Sequence, residues 1–169
     1  AGNEYCRGIR ENINNDKPLI GPYGVNREGS GDMYNKGANL LHTIRQVINN
    51  DSLFRKILRG LNKDLYHQTV TSKQVEEYIS KKAGKDFSKV FDQYLRTVKI
   101  PVLEYRTTRK GIEYRWNNTV AGFNLPVKLA DSNQWITPAA NWKSLTGSTG
   151  SKKVLKPDNN FYIETRKVK

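Results

Sequence analysis

The sequence has 169 residues, of which 36% are hydrophobic and 27% are charged, and its formal net charge is +13. That length accommodates one domain of ordinary size or two small domains that pack against each other. No run of about 18 apolar residues occurs, which excludes a transmembrane helix, and the first residues lack the pattern of a signal peptide.

The positive charge is spread along the chain. The longest runs of basic residues are pairs such as Lys81-Lys82 and Arg109-Lys110. A dispersed distribution is typical of a solvated surface, so we expect no specific nucleic-acid binding. Binding of a polyanion through this basic surface stays open as an alternative function.

The first 31 residues are predicted to form an ordered loop, with a short helix over Glu4–Ile13. Turn residues recur there, for example at Asn14-Asn15-Asp16 and at Gly29-Ser30-Gly31. Apolar residues then recur at helical spacing, and Asp32 is the predicted N-cap of the helix that they indicate. The predicted buried face of this helix consists of Met33, Leu40, Leu41, Ile44, Val47 and Ile48.

Three more helices are predicted before residue 97. Asp51 precedes one amphipathic segment, and Asp86 precedes the last one. Between them, Thr71 and Gln74 form a capping-box pattern, and Gly84 is suited to end the helix that follows it. Four helices over so short a stretch predict a compact helical layer.

After Pro101 the pattern changes to short segments rich in Val, Tyr, Trp, Ile and Thr. Val102–Thr108 and Ile112–Asn117 are predicted to pair as a hairpin around Arg109-Lys110-Gly111. Further strands are predicted over Phe123–Leu129, Gln134–Thr137, Asn141–Leu145 and Phe161–Val168. The fold class is therefore α+β, with a helical part over residues 1–100 and a small β-sandwich domain over residues 101–169. All three tryptophans fall in the β part and are predicted to be core residues.

Few residues suggest chemistry. The only histidines are His42 and His67, and neither has a second histidine at the spacing of a hydrolytic zinc site. Both are interpreted as helix-face or turn residues, and the single cysteine, Cys6, as an inert thiol. On composition and motifs alone the chain looks non-catalytic.

One local cluster stands apart from this background. The glycine-rich segment Gly29–Met33 leads Tyr34 into the first turn of the predicted helix. Glycines allow a close approach of the backbone, and a tyrosine held at a helix start offers a fixed phenolic donor. Without further information, a core position for Tyr34 is the favoured interpretation.

At these residues the chain resembles the zinc aminopeptidases of the membrane alanyl aminopeptidase family, and in detail its bacterial members. That family carries a Tyr-x-Lys-Gly-Ala motif, matched by Tyr34, Lys36, Gly37 and Ala38. The resemblance covers nearly the whole chain and also includes Phe54–Tyr66, Thr69–Thr71, Ala83-Gly84, Phe91–Leu95, Ile100–Leu103 and Phe123–Val127.

The resemblance implies the helical C-terminal half of a thermolysin-like catalytic domain, followed by a β domain. Family members bind zinc through a His-Glu-x-x-His helix and a later Glu, which we expect to precede Ala1. This chain is therefore expected to bind no cofactor or metal. Tyr34 matches the catalytic tyrosine, whose hydroxyl stabilises the oxyanion in the intact enzyme.

The resemblance also implies which residues line the substrate cleft. The segment Gly21–Asp32 is expected to form part of the cleft wall, and the cleft-lining candidates are Gly29, Gly31, Asp32, Lys36 and Gly37. Some relatives have a second tyrosine five residues before the catalytic one. Gly29 occupies that position here, so support from a second phenol is absent.

The implied function is removal of N-terminal residues from peptides by the parent enzyme. The expected partners are a peptide substrate and the missing N-terminal half, and an exposed apolar face is expected to permit self-association. The fragment alone is expected to be inactive. A non-catalytic scaffold or interaction module of the same fold is the alternative, and only the resemblance suggests export from the cytoplasm.

Overall fold

The structure, a computed structural model, describes residues 2–27, 29–145 and 154–169. Its described part is a mixed α+β fold, as the sequence predicts. The helices are α1 (Gly2–Gly8), α2 (Asn35–Ile48), α3 (Asp51–Asp64), α4 (Ser72–Ala83) and α5 (Ser88–Arg96). The strands are β1 (Val102–Thr108), β2 (Gly111–Asn117), β3 (Val127–Lys128), β4 (Trp135–Ile136), β5 (Lys143–Ser144) and β6 (Glu164–Lys167). No helix in these ranges is long and apolar enough to cross a membrane.

The ends of α4 form as the sequence predicts. The Thr71 side chain accepts a hydrogen bond from the backbone of Gln74, and the Gln74 side chain accepts one from the backbone of Thr71. Gly84 ends the helix in the left-handed conformation, with φ of 64°. Reciprocal satisfaction of two free amides fixes where this helix begins, and glycine adopts the left-handed region without strain.

The helix α2 begins later than predicted, and Asp32 is not its N-cap. Residues Gly31–Met33 form a 3₁₀ turn capped by the Ser30 side chain, and α2 starts at Asn35. The carboxylate of Asp32 instead accepts hydrogen bonds from the backbone amides of Asn14 and Asn15, at 3.0 and 2.6 Å. Two amides of another segment therefore satisfy the acceptor that would otherwise cap the helix.

The β part contains a four-stranded sheet in the order β5-β2-β1-β6 and a two-stranded sheet of β3 and β4. The predicted hairpin is confirmed, with Val102 opposite Asn117 and Thr108 opposite Gly111. The strand β6 pairs in parallel with the other edge of β1. The remaining strands are shorter than predicted because few of their residues find ladder partners.

The tryptophans do not all lie in the core, which corrects the prediction. Trp116 is buried and packs edge-on against Phe123, with ring centroids 5.3 Å apart. Trp135 is partly exposed. Trp142 lies between the guanidinium groups of Arg106 and Arg115, at 4.3 and 4.5 Å from its ring centroid. Cation–π contacts therefore hold this ring on the outer face of the sheet.

One hydrophobic cluster runs from the helices into the sheets. Ile44 of α2, Tyr94 of α5 and Leu103 of β1 are among its fully buried members. The hydroxyl of Tyr94 donates to the backbone carbonyl of Tyr162, which lies just before β6. The helical and β parts thus share a core, and α2 contributes its buried apolar residues to that core.

Candidate functional site

The tyrosine singled out by the sequence lies at the surface. Tyr34 directly precedes α2, its side chain is 74% exposed, and its carbonyl accepts the backbone amide of Ala38 at 2.9 Å. Its hydroxyl makes no hydrogen bond to any residue that the structure describes. Tyr34 is therefore not a core residue of this chain, and its phenolic donor is free to meet another group.

Beneath Tyr34, the preceding loop is anchored by two carboxylates. Asp32 is buried and binds the amides of Asn14 and Asn15, while the Ser30 hydroxyl donates to Asp16 at 2.9 Å. This last bond holds the pKa of Asp16 below its ordinary value. The loop is consequently fixed to residues 14–16 by charge-assisted hydrogen bonds.

Lys36 supports the same turn from inside the protein. Its side chain is fully buried, and its ammonium group donates to the backbone carbonyl of Thr97 at 2.9 Å. Burial lowers the pKa of Lys36, and the charge of nearby Asp32 opposes that shift. Thr97 directly follows α5. A charged side chain thus joins the start of α2 to the end of α5.

Gly29 is required by a close approach of two backbone segments. A Cβ atom built on Gly29 would lie 2.1 Å from the carbonyl oxygen of Leu19. No side chain fits there without a backbone shift. A tyrosine at this position is therefore sterically excluded by the loop around Leu19.

The other predicted cleft residues differ in their exposure. Gly31 is exposed and Gly37 is half-buried, and a Cβ on either would meet no atom within 4 Å. Asp32 and Lys36 lie beneath the surface, where they hold the turn in place. The predicted cleft wall, residues 21–32, is described except for residue 28, and its role as a wall stays a prediction.

The surface around Tyr34 includes exposed apolar side chains. Met33 and Leu41, both predicted to be buried, are exposed. Asn39 takes an inner position instead and accepts a hydrogen bond from Arg10 at 2.6 Å. No sequence pattern signalled this arrangement, because two polar residues three apart, such as Lys36 and Asn39, are typical of a solvated helix face.

The histidines do not form a metal site within the chain. His42 is buried, and its Nε2 lies 3.4 Å from the Asn160 side chain and 3.3 Å from that of Gln46. His67 adopts a left-handed conformation at the end of α3 and stacks edge-on against Tyr66. No three His, Cys, Asp or Glu side chains converge in residues 2–27, 29–145 and 154–169. The donor set present here does not by itself fit a zinc site.

The fold has a counterpart among solved structures. It is similar to the crystal structure of Legionella pneumophila aminopeptidase A in complex with aspartic acid, with a TM-score of 0.62. The superposition covers 95% of this chain and 21% of that chain, at 15% sequence identity. No family model and no curated protein sequence matches the chain.

The described part of the chain has an aminopeptidase-like fold. It spans about a fifth of the length of the Legionella protein. At 15% identity the similarity shows the fold alone, and the residues around Tyr34 bear on the function.

Proposed function

We propose that this chain is the C-terminal portion of a zinc-dependent aminopeptidase, in which Tyr34 donates a hydrogen bond to the oxyanion formed during peptide hydrolysis. The observation that carries the proposal is the geometry of Tyr34. Its hydroxyl is exposed and free of partners among the described residues, whereas Asp32 and Lys36, two residues before and after it, are anchored by a buried carboxylate and a buried ammonium.

This combination suits a preorganised catalytic donor. A donor aimed at developing charge is effective when its position is fixed before the reaction, because no reorganisation is then needed in the transition state. Asp32 and Lys36 lie two residues before and two residues after Tyr34, and their hydrogen bonds fix the turn that carries it. A core tyrosine would instead bury its ring, and Tyr34 does not.

The aminopeptidase-like fold and the Tyr34-x-Lys36-Gly37-Ala38 motif support the substrate class, which is a peptide with a free N-terminus. Zinc would supply Lewis-acid activation of a water molecule in the whole enzyme. Its ligands would come from residues outside this chain, since the described residues offer no ligand set. The thermolysin-like character of the helical part belongs to the same proposal.

The deciding experiment is the substitution Tyr34→Phe in the full-length gene product. Loss of one oxyanion donor is expected to lower kcat by a factor on the order of 100 to 1,000, with KM and zinc content nearly unchanged. Tyr66→Phe is the matched control, because Tyr66 is similarly exposed, at 72%, and has no proposed role in the reaction. Normal turnover by a folded, zinc-loaded Tyr34→Phe enzyme would defeat the assignment.

A second measurement concerns the 169-residue chain on its own. It is expected to hydrolyse no aminoacyl substrate and to retain no stoichiometric zinc after dialysis, because ligand number and geometry determine both properties. One tightly held zinc per chain would contradict the proposal. A full-length protein that binds zinc but has no peptidase activity would favour the scaffold alternative.

A further inference from the structure

A fully buried lysine with a single described hydrogen-bond partner is unusual. An ammonium group has three donors, and its transfer from water into a protein interior is unfavourable unless it is well paired. Lys36 is fully buried, and the Thr97 carbonyl is its one hydrogen-bonded partner among the described residues. A group retained at such a cost is expected to do something that an apolar side chain could not.

The acceptor of this bond is itself fixed. The Thr97 hydroxyl donates to the carbonyl of Gln93 at 2.6 Å and accepts the amide of Lys99 at 3.1 Å. The Gln93 side chain is buried, donates to the carbonyls of Lys99 and Asn118, and accepts the amide of Val120. The carbonyl that receives Lys36 is therefore part of a polar network that connects α5 to the β part.

A second connection runs alongside the first. The amide of Ile20 donates to the carbonyl of Leu95 in α5, and the amide of Ser30 donates to the carbonyl of Pro18. These two hydrogen bonds fix the loop before Tyr34, but they involve no residue of the first turn of α2. Among the described residues, Lys36 is the one that reaches by a side-chain hydrogen bond from within that turn to the end of α5.

We infer that Lys36 is a positioning residue that fixes the first turn of α2, and with it Tyr34, against the end of α5. The inference rests on the proposed role of Tyr34. It concerns position and not folding, because the free energy needed to desolvate an ammonium offsets much of what its hydrogen bond contributes. Removing the charge is therefore expected to loosen the turn while the fold persists.

The test uses Lys36→Met, which keeps the apolar stem and removes the donor. In the full-length protein, kcat is expected to fall by a factor on the order of 10 to 100, because a small displacement of a catalytic group is sufficient for such a loss. KM is expected to stay nearly unchanged, because the turn would be needed mainly in the transition state. Ile44→Val, a buried change on the same helix, is the matched control and should leave kcat unchanged.

Amide hydrogen exchange in the full-length protein gives a readout that does not depend on catalysis. The amide of Ala38 closes the first turn of α2 by donating to Tyr34, and the amide of Asn49 donates to Arg45 at the far end. Lys36→Met is expected to speed exchange at Ala38 about 10-fold or more, with little change at Asn49. Ile44→Val should show no such selective change.

The two measurements separate failure of this inference from failure of the proposed function. If Tyr34→Phe leaves activity normal while Lys36→Met still loosens Ala38 selectively, the catalytic role of Tyr34 is wrong and the anchoring stands. If exchange at Ala38 and Asn49 rises equally, or neither rises, Lys36 does not position the turn and the inference is overturned. Unchanged kcat in Lys36→Met, with Tyr34→Phe inactive, overturns it as well.

Discussion

The start of α2 and the β1–β2 hairpin both bury charged side chains, but the hydrogen-bond partners of these side chains lie at very different distances along the chain. In the hairpin, buried Glu104 accepts hydrogen bonds from Asn117 and Arg115 on the neighbouring strand, at 2.7 and 2.9 Å. At the start of α2, Asp32 is satisfied by the backbone of residues 14–15, and Lys36 by the carbonyl of Thr97. Both hydrogen-bond donors to Glu104 lie on the adjacent strand, and Arg166 of β6 adds an ion pair at 4.0 Å, whereas the α2 start exists only when three remote segments have come together.

This difference has a thermodynamic consequence. The partners of Glu104 lie on partly exposed side chains, so water can replace them if the carboxylate is lost. The partners of Asp32 are backbone amides, which cannot rotate towards another acceptor as a side chain can. An unsatisfied buried donor costs more free energy than a lost contact at the surface. Substitutions should therefore affect the α2 start more than the hairpin.

The largest expected loss of stability comes from Asp32→Ala. This change removes two charge-assisted hydrogen bonds and leaves the amides of Asn14 and Asn15 without their acceptor, so the free energy of unfolding should fall by about 3 kcal/mol. Urea denaturation measures it. Asp32→Asn keeps an acceptor and should lose less, and equal losses in the two variants would show that the hydrogen bonds are not the cause.

Gly29→Ala should follow, with a loss of about 2 kcal/mol. The added methyl group would collide with the Leu19 carbonyl, which is backbone and moves only with its segment. Gly31→Ala, two residues away, is the control because its Cβ meets no atom within 4 Å. Thermal unfolding of both variants tests the pair, and similar melting temperatures would refute the close approach at Gly29.

A smaller effect, about 1 kcal/mol, is expected for Glu104→Gln in the hairpin. The amide retains one acceptor and the shape of the carboxylate but loses its ion pair with Arg115, which is partly exposed. The measurement is again urea denaturation. If this loss exceeded that of Asp32→Ala, the proposed contrast between local and remote partners would be wrong.

The smallest effect is a pH dependence with two windows. Burial lowers the pKa of His42 below 6.5, so acidification from pH 7 towards pH 5 should reduce stability as the unfolded chain takes up a proton more readily. Hydrogen bonds from Asn117 and Arg115 lower the pKa of Glu104 below 4.5, so its contribution should be lost only at lower pH.

The substitution His42→Gln tests the upper window. It should abolish the change in stability between pH 7 and pH 5 while most of the change below pH 4.5 remains, because Glu104 and the other carboxylates with lowered pKa values, Asp16, Asp51 and Asp86, are still present. Denaturation midpoints across the range provide the measurement. Persistence of the upper window in this variant would assign it to another group.

The same contrast explains what the sequence could predict. The hairpin, the capping box of Thr71 and the stop at Gly84 depend on residues within one or two turns, and all three were predictable from local pattern. The mixed α+β class followed from them. The N-cap assignment of Asp32 was wrong because its partners lie in another segment. The core prediction for Trp142 was wrong because the ring contacts Arg106 and Arg115, which lie far away in sequence on β1 and β2.

At the candidate site, the sequence identified Tyr34 through its motif but misplaced the surface around it. Met33 and Leu41 fit an apolar face of α2 equally well whether that face is inside or outside. Periodicity defines which residues share a face and does not state what the face contacts. The buried side became evident only from the long-range bonds of Lys36 and Asn39.

The parallel pairing of β6 with β1 also sets the order in which this chain can fold during synthesis. Residues 102–105 emerge from the ribosome well before residues 164–167, their partners in the sheet. Until then one edge of β1 stays unpaired, and the hydroxyl groups of Thr43 and Tyr94 lack their hydrogen-bond partners in the backbone of Tyr162. Pairing over such a separation slows folding. The nascent chain therefore exposes an unpaired strand edge while the residues between the two strands are being synthesised, and this is the interval in which chaperones would protect it.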